Sequence, residues 1–231
     1  MKPPEDRLSV LAIGAHPDDI ELGCGGTLLA HAAQGDDISM LVMSAGELGP
    51  QDENSRADEQ RTASRVLGAN LYWGRFEDTR VPSSSETVAV ISDVMERVRP
   101  DVVYTHSPQD SHQDHRATAL ATFGAARRSC RVLCYEAPSS LNFTPLIYVD
   151  IAACLDGKLD ALRAHMSQVL RNGLVDLEAV EAQARYRGFQ GRIRLAEAFE
   201  VERFVWDLGG APISGSMETK HVKPLALEGV S

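Results

Sequence analysis

The chain has 231 residues, enough for one domain of ordinary size with a sizeable apolar core. Its formal net charge of −10 disfavours nucleic acid and anionic membrane as partners, because both require basic surface. The four cysteines (Cys24, Cys130, Cys134 and Cys154) form no Cys-x-x-Cys pair, which argues against a thiolate zinc site and for buried thiols in a reducing compartment.

Met1 to Arg7 lacks the pattern of a secretory leader, and no run approaches the roughly 18 apolar residues of a membrane span, so a soluble, cytoplasmic protein is expected. Leu8 to Ala15 is an uncharged apolar run of the kind that forms a strand buried on both faces. It stops at His16-Pro17, since proline holds its neighbour extended. Asp18, Asp19 and the glycines 23, 25 and 26 follow, before a helical stretch from Thr27 to Gln34 closed by Gly35. Asp37 to Ser44 is a second strand, and Ala45 to Ser55 a polar loop at its carboxyl end. Arg56 to Leu67 reads as a helix closed by Gly68, and Asn70 to Gly74 as a strand.

Ser83-Ser-Ser-Glu86 has the form of a capping box. The helix it opens places Val88, Ile91, Met95 and Val98 on one face and stops at Pro100. Asp101 to Thr105 is a strand, His112 to Arg128 a helix with a stripe of mostly small residues suited to close packing on a sheet, and Arg131 to Tyr135 a further strand. Leu146 to Val149 is a possible strand, followed by helices over Ala153 to Leu170 and Asp176 to Tyr186. From Ala211 onward Gly, Pro and Ser recur without period, giving one domain over 1–210 and a tail over 211–231. This alternation predicts an α/β fold: a Rossmann-like three-layer αβα sandwich with a mostly parallel central sheet and its site at the carboxyl ends of the strands.

Two strand ends are dense in His and Asp. The first carries His16, Asp18 and Asp19; the second carries His106, Asp110, His112, Asp114 and His115. Catalytic zinc takes three protein ligands from His nitrogen and carboxylate oxygen and leaves a position open. The spacings His16 to Asp19 and His112 to His115 each put two groups on one side of the backbone, and Asp18 and Asp114 lie between them as a surplus fit for proton transfer. Singly, each residue has a plainer account. Asp18 or Asp19 could cap the following helix, His112 could be a cap or a surface residue, and His106 could merely end its strand.

Ala15-His16-Pro17-Asp18-Asp19 with Glu21-Leu-Gly-Cys-Gly-Gly-Thr27, and Asp110-Ser-His112-Gln-Asp114-His115-Arg116, closely resemble the LmbE-like (PIG-L) zinc-dependent N-deacetylases, which act on N-acetylglucosamine-type sugars and related conjugates. The resemblance extends through Ala45-Gly-Glu47, Arg56-Ala-Asp-Glu59, Phe76-Glu-Asp78, Tyr135-Glu136, Lys158, His165-Met-Ser167-Gln168 and Ala196-Glu-Ala-Phe199, covering about residues 8–206. It implies His16, Asp19 and His115 as ligands of Zn2+, or of another divalent metal such as Fe2+. It implies Asp18 as the general base toward the metal-held water, and His112 as the group that, as a cation, stabilises the oxyanion and protonates the amine. Asp114 would orient or charge that histidine, and Arg56 and Asp78 would contact substrate. Some relatives have a tyrosine where this chain has Asp110, so no hydroxyl is available from that position.

The implied substrate is a small-molecule N-acetylated sugar or glycoconjugate, with a homo-oligomer as an open possibility for assembly. The runner-up is an amidase cleaving a larger N-acyl or sugar-thiol conjugate. A nucleotide-binding Rossmann protein is disfavoured, because Gly23-Cys-Gly25-Gly26 lacks the third glycine of the phosphate turn and acidic groups occupy its place. A non-catalytic metal-binding protein on the same fold is the remaining rival; all the catalytic-type residues are present.

Overall fold

The computed structural model describes residues 6–46, 53–128, 131–171 and 175–206. Within them, β1 (Ser9–Gly14) and β2 (Asp37–Ser44) pair in parallel, and β3 (Asn70–Phe76) continues the sheet beside β2. On the other side of β1 lie β4 (Val102–His106) and then β5 (Arg131–Tyr135), both parallel. The apolar runs are uninterrupted because both sheet faces are covered. Leu11 and Ile13 pack toward one core with Leu41 and Met43, whereas Val10 and Ala12 pack toward the other with Met40 and Val42.

The first of these cores is closed by α3 (Ser85–Val98) and α4 (Gln113–Ala125), through Ile91, Val94, Ala117 and Ala121. The second is closed by α1 (Asp19–Gln34), by Leu67 at the end of α2 (Glu53–Val66), and by α5 (Leu155–Arg163). The predicted three-layer arrangement is therefore the observed one. The capping box at Ser83 does not form: the N-cap of α3 is Ser84, and its side chain makes no cap hydrogen bond.

Two elements alter the sequence-level outline. β7 (Ala196–Phe204), which patterning did not mark, inserts antiparallel between β5 and β6 (Ile147–Asp150), giving the order β3-β2-β1-β4-β5-β7-β6. The helix expected over Ala153 to Leu170 divides into α5 and a π-helical turn at Ser167–Arg171, and α6 (Leu177–Gly191) packs behind α5. Glu47, Cys130 and the tail 211–231 lie outside the described residues.

Helix α1 starts directly from the His-Pro-Asp-Asp turn and is broken at Cys24, whose backbone (φ −146°, ψ 15°) is not helical. A broken helix exposes new donors and acceptors, and here three of them find side-chain partners. The Glu197 carboxylate of β7 accepts from the N–H groups of Gly26 (2.9 Å) and Thr27 (2.7 Å), capping the second half. Lys158 of α5 donates to Glu197 (2.6 Å) and to the carbonyl of Leu22 (2.7 Å), closing the first half. Gly23 has the ring of Tyr135 against it at a distance that leaves no room for a Cβ, so this half of α1 can lie flat on the sheet.

Candidate metal and acid-base site

The strand order reverses direction between β1 and β4, where Val10, Leu11 and Ala12 pair with Val102, Val103 and Tyr104. Loops leaving the two strands at such a point diverge to opposite faces and open a crevice at the carboxyl edge of the sheet. Both His/Asp clusters emerge there. The ends are tied together by the Ala15 N–H, which donates to Nε2 of His106 at 3.1 Å.

His16, Asp19 and His115, the set that the resemblance implies as ligands, lie near one another. Asp19 sits between the two rings, with Oδ2 at 3.6 Å from His16 Nδ1 and Oδ1 at 3.4 Å from His115 Nε2; the ring centroids are 5.5 Å apart. Asp19 Oδ2 also accepts the N–H of His16 (2.7 Å). Three sets of donor atoms lie within 4.8 Å of one another: His16, His112 and His115; Asp19, His106 and His115; and His16, Asp78 and Asp114. Nitrogen and carboxylate donors so concentrated, with Asp114 Oδ1 and His106 Nδ1 buried and without a hydrogen-bond partner, fit a divalent cation of the zinc type.

The surrounding groups fix ring orientation. Asp110 Oδ2 lies 3.2 Å from Nδ1 of His115, where Ser139 Oγ also approaches (3.3 Å), and this leaves Nε2 turned toward Asp19. Asp110 Oδ1 accepts the N–H of His112 (2.8 Å), so one carboxylate serves two of the three histidines of the second cluster. The carboxylate of Asp114 faces His16 Nε2 (3.1 Å), beside Asp78 Oδ1 (3.0 Å). Asp114 meets His112 through its backbone N–H, which donates to His112 Nδ1 (3.2 Å). His112 is thus the N-cap of α4 and remains half-buried, and Nε2 is left as its donor toward the crevice.

Asp18 is not a cap of that kind. It is the N-cap residue of α1 by position, yet its side chain makes no cap hydrogen bond, and its φ of +92° lies where a non-glycine residue is strained by about 1–3 kcal/mol. Arg56 is buried, with its guanidinium on the carbonyls of Gly46 (3.0 Å) and Pro17 (3.2 Å) and 3.9 Å from the Asp18 carboxylate. Asp78 reaches the site from the loop after β3. Sequence reasoning placed His106 in the second cluster without giving it a role, and did not single out Gln60 or His165 as site residues. His165 is wholly buried 3.5 Å from Glu21, and its only sequence signal was family resemblance. Gln60 stands one helical turn after Arg56, a spacing that could have found it.

Among the protein groups alone, burial lifts Asp18 to about 7, reinforced by the charge of Asp19 and opposed by His165 and Arg56. Burial also opposes ionisation of Asp19, but the neighbouring His115 and His106 hold it well below the usual carboxylate range. Burial, together with His115, pushes His106 down to about 4, in keeping with a neutral ring that accepts from Ala15. Burial works against the charged form of His115 as well, and Asp19 and Asp110 outweigh it and raise that ring.

A doubly wound sheet with His and Asp at its switch point defines the class, an α/β protein with residue groups able to hold a metal ion. Residues 11–126 match the family described as PIG-L, GlcNAc-PI de-N-acetylase, and the chain belongs to that family. It is 38% identical over 170 residues to the uncharacterized deacetylase YaiS of Escherichia coli, covering 70% of this chain and 92% of that protein. The fold superposes on the N,N'-diacetylchitobiose deacetylase of Pyrococcus horikoshii with a TM-score of 0.77 at 25% identity, over 86% of this chain and 85% of that one. The 4-oxalmesaconate hydratase of Pseudomonas putida is also similar, 25% identical over 153 residues, 61% of this chain and 59% of that protein. No helix among the described residues is long and apolar enough to cross a membrane.

Proposed function

We propose that this protein is a metal-dependent amide hydrolase that removes the N-acetyl group from an N-acetylglucosamine-type sugar or aminosugar conjugate. The observation that carries this reading is the Asp19 carboxylate lying 3.6 Å from the His16 ring and 3.4 Å from the His115 ring, with the buried Asp18 in the same turn and His112 in the group of three histidines whose nitrogens lie within 4.8 Å of one another. His16, Asp19 and His115 would hold Zn2+ or another divalent ion such as Fe2+. Such an ion supplies Lewis acidity, bringing the pKa of a water to about 7 and polarising the acyl oxygen.

Asp18 takes the proton from the attacking water as its oxygen bonds to the acyl carbon. The Nε2–H of His112 donates to the oxygen on which negative charge builds, its other nitrogen being occupied by the cap on α4. As the C–N bond breaks, Asp18 returns the proton to the departing nitrogen, leaving acetate and a free amine. The role of cationic acid that the resemblance implies for His112 is set aside, because its Nδ1 accepts the Asp114 N–H and the ring is neutral. Asp114 and Asp78 hold His16 through Nε2, and Arg56 holds the backbone beneath Asp18. Arg56 and Asp78 are assigned to substrate contact as well.

Acetate release from a panel of N-acetylated glucosaminides, with and without chelator and with metal analysis, tests this. Chelator-sensitive release restored by divalent metal is expected; metal-loaded protein that releases no acetate from any member overturns it. The similarity to a hydratase supplies a second reading, addition of water to a carbon–carbon double bond by the same residues. Loss of the ultraviolet absorbance of an unsaturated polycarboxylic acid, without acetate release from the glucosaminides, would favour it.

A further inference from the structure

The peptide unit between Pro17 and Asp18 is held at both of its polar atoms by one helix. Its carbonyl accepts from Nη2 of Arg56 (3.2 Å), and its N–H donates to Oε1 of Gln60 (3.3 Å). Arg56 and Gln60 are four apart on α2 and so project from the same face, one turn from each other. Gln60 is wholly buried, and its amide orientation is settled at the far end, where Nε2 donates to Oε1 of Glu21 at 2.7 Å. Reversing the amide would set donor against donor at Asp18 and acceptor against acceptor at Glu21. The guanidinium of Arg56 lies over Gly46, where any Cβ would collide with it, so the clamp has no slack on that side either.

The orientation of this peptide plane is set by two torsions, ψ of Pro17 and φ of Asp18. The second is the +92° torsion that an aspartate would not adopt unassisted. A half-turn of the plane would bring it to about −90°, an ordinary value, and would break both clamp bonds at once.

We propose that Gln60 is a positioning residue for the acid-base step: with Arg56 and backed by Glu21, it locks the peptide before Asp18 and so fixes where that carboxylate points. This rests on the assignment of Asp18 as the base. Its test is a cycle of Gln60→Leu and Asp18→Asn, singly and together, in metal-loaded protein. Gln60→Met, nearly the same length as glutamine, serves if the leucine variant does not fold.

Loss of the clamp should lower kcat about 10- to 100-fold with KM within about twofold, since the defect is one of aim. In the Asp18→Asn background the same change should cost less than about twofold, there being no carboxylate left to aim. Amide hydrogen exchange at Asp18, followed by NMR in metal-free protein, should speed at least about tenfold in the Gln60 variant. An unchanged kcat, an equal loss in both backgrounds, or an unchanged exchange rate overturns the clamp. Should the wild-type protein release no acetate, the deacetylase reading falls, and the exchange rate alone then decides whether Gln60 locks the peptide.

Discussion

Two regions of the molecule bury charge, and they do so in opposite ways. Around the break in α1, Lys158 and Glu197 form a closed arrangement in which a carboxylate, an ammonium, two N–H groups and a carbonyl all meet at 2.6–2.9 Å. At the switch point between β1 and β4, seven His and Asp side chains crowd together, donor atoms are left without partners, and Asp18 is held at a strained torsion. The first arrangement satisfies itself. The second is complete only with something further in it, which is the usual mark of a site retained for chemistry.

That contrast can be broken or sharpened by experiment. Glu197→Ala leaves the ammonium of Lys158 and two N–H groups buried, and should lower unfolding stability by about 3–5 kcal/mol in denaturant titration while the folded fraction keeps its turnover. Asp18→Asn should do the reverse, reducing kcat by about 10²-fold or more with bound metal and melting temperature nearly unchanged. Were both variants to lose stability alike, the two regions would not differ in kind.

Asp110→Ala should weaken metal binding by about 10- to 100-fold in a competition titration, because it frees both His115 and the N–H of His112. The smallest effect concerns His165. Burial opposes its charge, but Glu21 and the other nearby carboxylates raise it above the ordinary 6.5. A folded-state value above the unfolded one gives stability that is whole below 6.5 and is lost as pH climbs through the raised value. The melting temperature of the wild type should therefore decline over that interval, and His165→Gln should make the decline shallower; an unaltered slope would show that His165 does not titrate there.

Local pattern was most informative where the chemistry is local. β2 and β5 fall on the residues that their apolar runs mark, and Gly35 and Gly68 stop their helices with φ of +87° and +67°. The motif residues His16, Asp18, Asp19, His112, Asp114 and His115 were visible as two dense strand ends. β7 escaped because Glu197, Glu200 and Glu202 interrupt its apolar residues and spoil the strand signal. Its fit depends on bonds to α1 and to two separate loops, at Ser107 and at Thr144, which sequence does not display. The helix opening at Ser83 was misjudged for a similar reason: a capping box is a statement about side-chain geometry, and the chain settled on Ser84 without one.

The sequence by itself determined the alternation of strands and helices, the two clusters and the residue types able to bind metal, since these follow from periodicity, proline and glycine placement and donor chemistry. Only the tertiary structure decided that β1 and β4 are neighbours, and hence that residues some ninety positions apart share one crevice. It also decided that the Asp114 carboxylate faces His16, that Asp110 serves His115 and His112, and that Arg56 and Gln60 grip a single peptide. Each of these depends on where two separate elements lie relative to one another, a relation that no window of one chain contains.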